Sequence, residues 1–284
     1  PALPTVTLNP LADIPELTDP RRVTILVLGI DQRGNEQGPF RTDTLILVSL
    51  DPARKTAGVL SIPRDLWVTI PGFRSGRINT ANELGDINGY PGGGPALAAA
   101  TVEFNLGIDV DNYVLINFDV FTRVVDTLTP NGVEVCPTEV IDDPDYPDAG
   151  YGTIAVRFEP GCQRLQAERL LQYARTRATF GGDFDRARRQ QEVLRAFRDE
   201  VLTAGGLANV ITQIPTLWDE VSSNIQTNLS LNQILTLAQL AQEIPGSSIN
   251  FGVIDNLYVD LAQTSSGDQV LIPRQSGINF LLQQ

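Results

Sequence analysis

Two nearly unbroken apolar runs lie close together near the start of the sequence, RVTILVLGI at 22–30 and TLILVSL at 44–50. Neither alternates apolar with polar residues, so neither suits a sheet with one wet face. Both read as strands buried on both sides. Such strands need helices above and below them, and the rest of the chain supplies candidates. Shorter strands are expected at 57–62, 66–70 and 113–118, and at VEVC (133–136) and IAVRF (154–158). Helices are expected at 96–106, 119–128, 165–174, 185–203, 207–221 and 231–243, with closing strands at 249–254, 257–259 and 269–272. The acidic stretch IDDPDYPDAG at 141–150 lacks the spacing of a calcium loop and reads as a solvated turn. The glycine-rich YPGGGP at 90–95 is not followed by Gly-Lys-Ser/Thr, so it is no P-loop.

A chain of 284 residues can form one large domain or two small ones. Strands and helices alternate here without a second linker. The expectation is a single α/β domain over 22–284, with a central mixed β-sheet and helices on both faces. Residues 1–21 carry Pro1, Pro4, Pro10, Pro15 and Pro20 and read as an extended linker following something removed. No apolar stretch of about 18 residues exists to span a membrane.

The sequence has no histidine. That excludes Ser–His–Asp and Cys–His catalysis and every histidine metal site. Two cysteines cannot build a Cys₄ zinc site, so a metal must sit on oxygen ligands. Cys136 and Cys162 each adjoin a strand-like run that a hairpin could bring together. A disulfide, and with it an oxidising compartment, is favoured over two free buried thiols.

The formal net charge is −13, which repels nucleic acid unless basic residues are concentrated. They are concentrated: Lys55 is the single lysine, and eight arginines lie between Arg169 and Arg198. On a helical wheel Arg186, Arg189 and Gln190 of the 185–203 helix fall toward the apolar stripe of Val193, Phe197 and Val201. Arg188, Arg195 and Arg198 fall opposite, as solvated arginines. A buried arginine needs a partner. Either Asp183 or Asp185 provides it in an ion-pair network, or a phosphate-bearing ligand does, helped by the helix amino end.

Other charged residues gather at strand ends. Asp31 follows the first strand, Arg41 and Asp43 open the second, and Arg64-Asp65 follow the third. If the first two strands are antiparallel neighbours, Asp31 and Asp43 converge as hard oxygen ligands suited to Mg²⁺. Arg175 and Arg177 alternate in an extended segment and can face one site. Two carboxylates and several arginines at one sheet edge suit a pyrophosphate–metal complex.

The motifs VLGID (27–31), RTDT (41–44), SIPRD (61–65), RINTA (77–81), INFDVF (116–121) and the run 164–191 occur in an order that resembles the LytR–CpsA–Psr (LCP) family. The resemblance covers the core motifs of 22–205, and the helices within 206–284 resemble the family's continuation. It implies an outward-facing cell-envelope phosphotransferase, anchored by an amino-terminal helix that is missing here. Such enzymes move a glycopolymer from a polyprenyl-pyrophosphate carrier to peptidoglycan with help from Mg²⁺. Pyrophosphatase activity in vitro, or non-catalytic polyprenyl-phosphate binding, are the related alternatives; nucleic acid is not an expected partner. Carried onto this chain, the metal carboxylates match Asp31 and Asp43. The pyrophosphate arginines match Arg41, Arg64, Arg175, Arg177 and Arg186, and Gln190 and Asp183 match further positions. Arg41, Asp43, Arg64 and Asp183 are the expected catalytic set. The lipid tail is expected in an apolar tunnel between sheet and helices. Two positions depart from the family pattern, Asn131-Gly132 and Asp185, and the cysteines are not general in it.

Overall fold

The computed structural model describes residues 21–33, 36–203 and 206–283. The expected linker therefore lies, apart from Arg21, outside the described residues. The two apolar runs form β1 (Val23–Ile30) and β2 (Thr42–Asp51), followed by β3 (Thr56–Ser61). They pair antiparallel, with Val27 opposite Ile46 and Ile30 opposite Thr42, and β3 continues the meander. The stretch expected as a strand at 66–70 keeps only β4 (Trp67–Val68), which pairs with β5 (Gly76–Arg77).

Two helices follow, α1 (Thr80–Ile87) and α2 (Gly93–Leu106). The first was not apparent from the sequence. The glycines around YPGGGP have a packing role: a Cβ on Gly94 would sit 2.3 Å from the Asn82 carbonyl oxygen, so only glycine lets these helices touch. Then come β6 (Asn112–Ile116) and α3 (Phe118–Leu128), whose amino end is capped by the Asn117 side chain.

A smaller lobe contains β7 (Val133–Val135), β8 (Ile141–Pro147), β9 (Thr153–Phe158), β10 (Gln163–Leu165) and α4 (Ala167–Arg175). The acidic stretch is thus not a solvated turn. It forms a strand because Ile141 and Tyr146 bury themselves against Val156 and Phe158. A register shift between Asp143 and Tyr146 takes up Pro144, which has no amide hydrogen for the ladder. Cys136 and Cys162, beside β7 and β10, are disulfide-bonded. The 26-residue separation they close restricts the unfolded chain by about 3.5 kcal/mol in the chain-entropy picture.

The long helix α5 runs Asp183–Thr203, starting two residues before its expected position. After it come α6 (Gly206–Val221), β11 (Gln226–Thr227), α7 (Leu231–Glu243), β12 (Ile249–Val253), β13 (Val259–Gln263), β14 (Gln269–Pro273) and α8 (Gln275–Leu281). The strand expected at 257–259 is displaced to β13, and α8 was not anticipated. The central sheet has the order β11-β6-β1-β2-β3-β12. The β1–β6 and β3–β12 pairs are parallel and the others antiparallel, so the sheet is mixed.

Helices cover both faces. Leu26, Leu28, Leu45 and Leu47 pack with Leu97, Ala98 and Val102 of α2 on one side. On the other, Leu50 and Ala57 meet Leu240 of α7 and Ile244. This is the single α/β domain that the apolar runs demanded. Among the described residues no helix is long and apolar enough to cross a membrane.

Candidate functional site: an arginine-rich cluster at the sheet edge

Because β1 and β2 are antiparallel, the end of one meets the start of the other. Asp31 leaves β1 there, Asp43 lies in the first turn of pleats of β2, and Arg64 follows β3. The amino end of α5 and the segment after α4 close over the same edge and bring Arg175, Arg177, Asp183 and Arg186.

These groups form two knots at the same sheet edge. In the first, Arg64 donates an Nη to Asp43 Oδ1 at 2.5 Å, and its Nε lies 3.4 Å from Asp183 Oδ2. Asp183, the first residue of α5, also meets Arg177 Nε at 2.8 Å and Arg186 Nη1 at 3.4 Å. Arg186 reaches on to the Asp43 carbonyl oxygen at 3.2 Å. In the second knot Asp31 accepts from Arg175 at 3.2 Å and from Arg33 at 2.8 and 2.9 Å. Arg175 is wedged by aromatic rings: its guanidinium carbon lies 3.9 Å from the Phe118 ring centre, and it donates to the Tyr146 hydroxyl at 3.0 Å.

The electrostatics show strain in the first knot. Burial holds the Arg186 guanidinium down to about 10; Asp183 opposes that shift, while Arg177 and Arg64 add to it. The Nε atoms of Arg64 and Arg186 are buried without a hydrogen-bond acceptor. Buried donors of this kind are rare and mark a place where a partner belongs. Asp31 differs: burial pushes its carboxyl up, but the Arg33 hydrogen bonds and the Arg175 and Arg33 charges outweigh burial and hold it below its usual value.

The turn before α5 is shaped for this end of the helix. Asp185 accepts from the Gly181 amide at 2.8 Å, and a Cβ on Gly181 would fall 2.4 Å from Asp185 Oδ1. Asp185 therefore serves the loop, whereas Asp183 serves the arginines. Gln190 donates to Thr44 Oγ1 at 3.1 Å, tying α5 to β2 just behind the cluster.

The structure brings Asp31, Asp43, Arg64, Arg175, Arg177, Asp183 and Arg186 together, and holds one expected residue apart. Arg41 is exposed and pairs with Glu83 of α1 at 2.7 Å. The helical wheel is right for Arg186 and Arg189, which are 7% and 6% exposed. It is wrong for Arg198, which is not a solvated arginine: it donates to the Ala241 and Ile244 carbonyls at the carboxyl end of α7. Arg188 is half-exposed and bridges Asp185 and Asp255. Two participants were missed. Gln191 is buried and donates to Ser61 Oγ and the Gly252 carbonyl. Arg33 holds Asp31, and the signal for it was the Asp-x-Arg spacing at a strand end, which puts both side chains on one side.

Asp31 and Asp43 offer hard carboxylate oxygens on adjacent strand ends, a donor chemistry that suits Mg²⁺. Both already face guanidinium groups.

The LytR_cpsA_psr family profile matches residues 8–276. Over 208 residues the chain is 32% identical to regulatory protein MsrR of Staphylococcus aureus, spanning 73% of this chain and 57% of the relative. It is 33% identical over 218 residues to the Bacillus subtilis polyisoprenyl-teichoic acid–peptidoglycan teichoic acid transferase TagV, spanning 76% of this chain and 52% of that one. The chain thus spans between half and three-fifths of these relatives. The crystal structure of B. subtilis TagV superposes with a TM-score of 0.71 at 27% identity, covering 93% of this chain and 97% of that one. TagT bound to LI-WTA gives 0.70 at 28% identity, covering 92% and 88%.

Proposed function

Because this chain belongs to the LytR_cpsA_psr family, we propose that it is a phosphotransferase that moves a glycopolymer from a polyprenyl-pyrophosphate carrier to peptidoglycan. One observation carries the reading: Arg64 and Arg186 present buried, unsatisfied donors where three arginines converge on Asp183. A pyrophosphate supplies the missing acceptors and relieves the mutual repulsion of the guanidinium groups. The relatives TagU of Oceanobacillus iheyensis and TagV of Bacillus subtilis are both polyisoprenyl-teichoic acid–peptidoglycan teichoic acid transferases, which agrees with this chemistry.

In the proposed reaction an acceptor hydroxyl oxygen attacks the phosphorus bearing the glycan. A new phosphorus–oxygen bond forms, the bond to the polyprenyl phosphate breaks, and the hydroxyl proton is lost to a carboxylate or water. Arg64, Arg177 and Arg186 hold the phosphate oxygens and stabilise charge developing on them. Arg175, pinned between Phe118 and Tyr146, fixes Asp31. Asp31 and Asp43 would hold Mg²⁺, which neutralises phosphate charge when bound. A prenyl chain would lie against the face of the sheet that carries the half-buried Val27, Val48, Val114 and Ile116. The proposed setting is the outer face of the cell envelope.

The test is incubation of purified protein with a short-chain polyprenyl-pyrophosphate glycan and peptidoglycan, following phosphodiester-linked product and released polyprenyl phosphate. Transfer lost in Asp43→Ala and Arg64→Ala supports the reading. Water as sole acceptor would reduce it to a pyrophosphatase. Tight binding with no bond broken would make the protein a polyprenyl-phosphate carrier.

A further inference from the structure

Asp31, the carboxylate read above as a metal ligand, already has a cation on it. Arg33 grips both oxygens side-on, Nε to Oδ1 at 2.8 Å and Nη2 to Oδ2 at 2.9 Å. Its remaining Nη1 donates to the Asp148 carbonyl at 2.7 Å, and the Tyr151 ring centre lies 4.8 Å from the guanidinium carbon. Asp148 and Tyr151 belong to the turn joining β8 and β9. All three nitrogens of Arg33 are therefore committed, two to Asp31 and one to this turn.

The charges of the whole cluster decide what can enter. Asp31, Asp43 and Asp183 are met by Arg33, Arg64, Arg175, Arg177 and Arg186, five positive groups against three negative. Asp65 lies 3.6 Å from Arg64 and 3.3 Å from Arg77, which also meets Asp268, and Glu36 and Asp148 lie near Arg33, so neighbouring carboxylates offset that excess. A divalent cation approaching Asp31 meets the guanidiniums of Arg33 and Arg175, and it must displace a bidentate one to reach both carboxylate oxygens. A pyrophosphate group brings two to three negative charges that compete with the carboxylates for these guanidiniums and attract the cation.

We propose that Arg33 is the internal counter-ion of Asp31, so that a divalent metal does not load the free protein but enters together with the diphosphate, as Arg33 releases Asp31. Arg33 is a positioning residue here; it acts through Asp31 and the β8–β9 turn, not on the reacting atoms. The proposal rests on the reading that this cluster binds a diphosphate.

Equilibrium dialysis with Mn²⁺ as the divalent probe tests it, with electron paramagnetic resonance reporting free Mn²⁺. Wild-type protein should bind Mn²⁺ at least tenfold more tightly with inorganic pyrophosphate than without. Arg33→Gln should bind Mn²⁺ alone at least tenfold more tightly than wild type, and Asp31→Asn added to it should remove the gain. Arg33→Lys, which restores the charge, should return affinity toward wild type. Equal Mn²⁺ loading of wild type with and without pyrophosphate would overturn the proposal, and so would an unchanged affinity in folded Arg33→Gln. A separate arm measures pyrophosphate binding calorimetrically in chelator. If pyrophosphate binds there but wild type loads Mn²⁺ unaided, only the role of Arg33 falls. If pyrophosphate does not bind at all, the diphosphate reading falls and takes this proposal with it.

Discussion

Two buried arginines sit three residues apart on α5; burial holds both guanidiniums below their usual value, but their partners differ. Arg189 donates Nε to the Tyr173 carbonyl at 3.1 Å, one Nη to Thr179 Oγ1 at 3.2 Å and the other to the Thr176 carbonyl. Its acceptors are neutral, and all lie on the segment that carries Arg175 and Arg177. Arg186 has long contacts, an unpartnered Nε and two neighbouring guanidiniums. Equal burial on one helix face thus serves two ends. Arg189 is satisfied and shapes the chain, while Arg186 is left wanting and is available to a ligand.

The contrast can be broken most sharply by removing Arg189. Arg189→Met keeps much of the volume but leaves the buried Tyr173 and Thr176 carbonyls without a donor. An unsatisfied buried group costs about 1–3 kcal/mol, so the variant should lose about 3 kcal/mol of stability. In a domain of this size that lowers Tm by about 6 °C, read by calorimetry. A Tm within about 2 °C of wild type would show that Arg189 does not hold the segment.

The matching change at Arg186 should move the other observable. Its guanidinium is held below its usual value because the folded state disfavours the charged form; at neutral pH the charge therefore costs the empty protein stability. Arg186→Met should be as stable as wild type or more so. Binding of a pyrophosphate lipid should weaken at least about tenfold, or about 1.4 kcal/mol, measured by calorimetric titration. A large loss of stability with unchanged affinity would place Arg186 with Arg189, as part of a structural ion-pair network.

Much of this was legible in the sequence, and the illegible part has a common cause. The two apolar runs required a covered sheet, and the position of Asp31 and Asp43 at strand ends followed from antiparallel pairing. The helical wheel turned Arg186 and Arg189 inward. A wheel gives a direction and no partner, so it could not separate the two. It failed at Arg198 because the acceptors are carbonyls of Ala241 and Ile244, more than forty residues away in sequence. It favoured Gln190 over Gln191 because the groove between β3 and β12 that receives Gln191 is made by tertiary packing. The acidic segment misled for a similar reason: local composition favoured water, but Ile141 and Tyr146 had a core to enter. Local propensity yields to packing at such places.

Acid titration sharpens the comparison from the second knot. The Asp31 carboxyl lies below its ordinary value of 3.8 in the folded protein. The stability it contributes is fully present above that value and is lost as pH falls from there through the lower, folded pKa. Asp185 is lowered too, despite its burial, by Thr179, Gly181 and Arg188. Stability should therefore fall below about pH 4, and Asp31→Asn should make that fall shallower while leaving the slope near neutral pH unchanged. The measurement is urea unfolding from pH 2 to 7. A steeper acid limb in Asp31→Asn would contradict the pairing with Arg33 and Arg175.

The smallest effect is expected on the outer face of the same helix. Arg195 is exposed, and its guanidinium carbon lies 4.3 Å from the Phe251 ring centre on β12. A cation–π contact in water contributes about 0.5–1 kcal/mol. It adds packing for the aliphatic stem but touches neither knot. Arg195→Ala should lower stability by about 0.5 kcal/mol and leave pyrophosphate-lipid affinity within about twofold of wild type. The affinity is the informative number. If binding were governed by the overall positive charge of α5, every arginine removed from it would weaken the complex, Arg195 included. If it depends on the partnerless donors at the helix amino end, the loss should appear at Arg186 and vanish at Arg195. Comparable losses at both would replace the local cluster with a diffuse field, and that field would show itself further by collapsing as salt is raised.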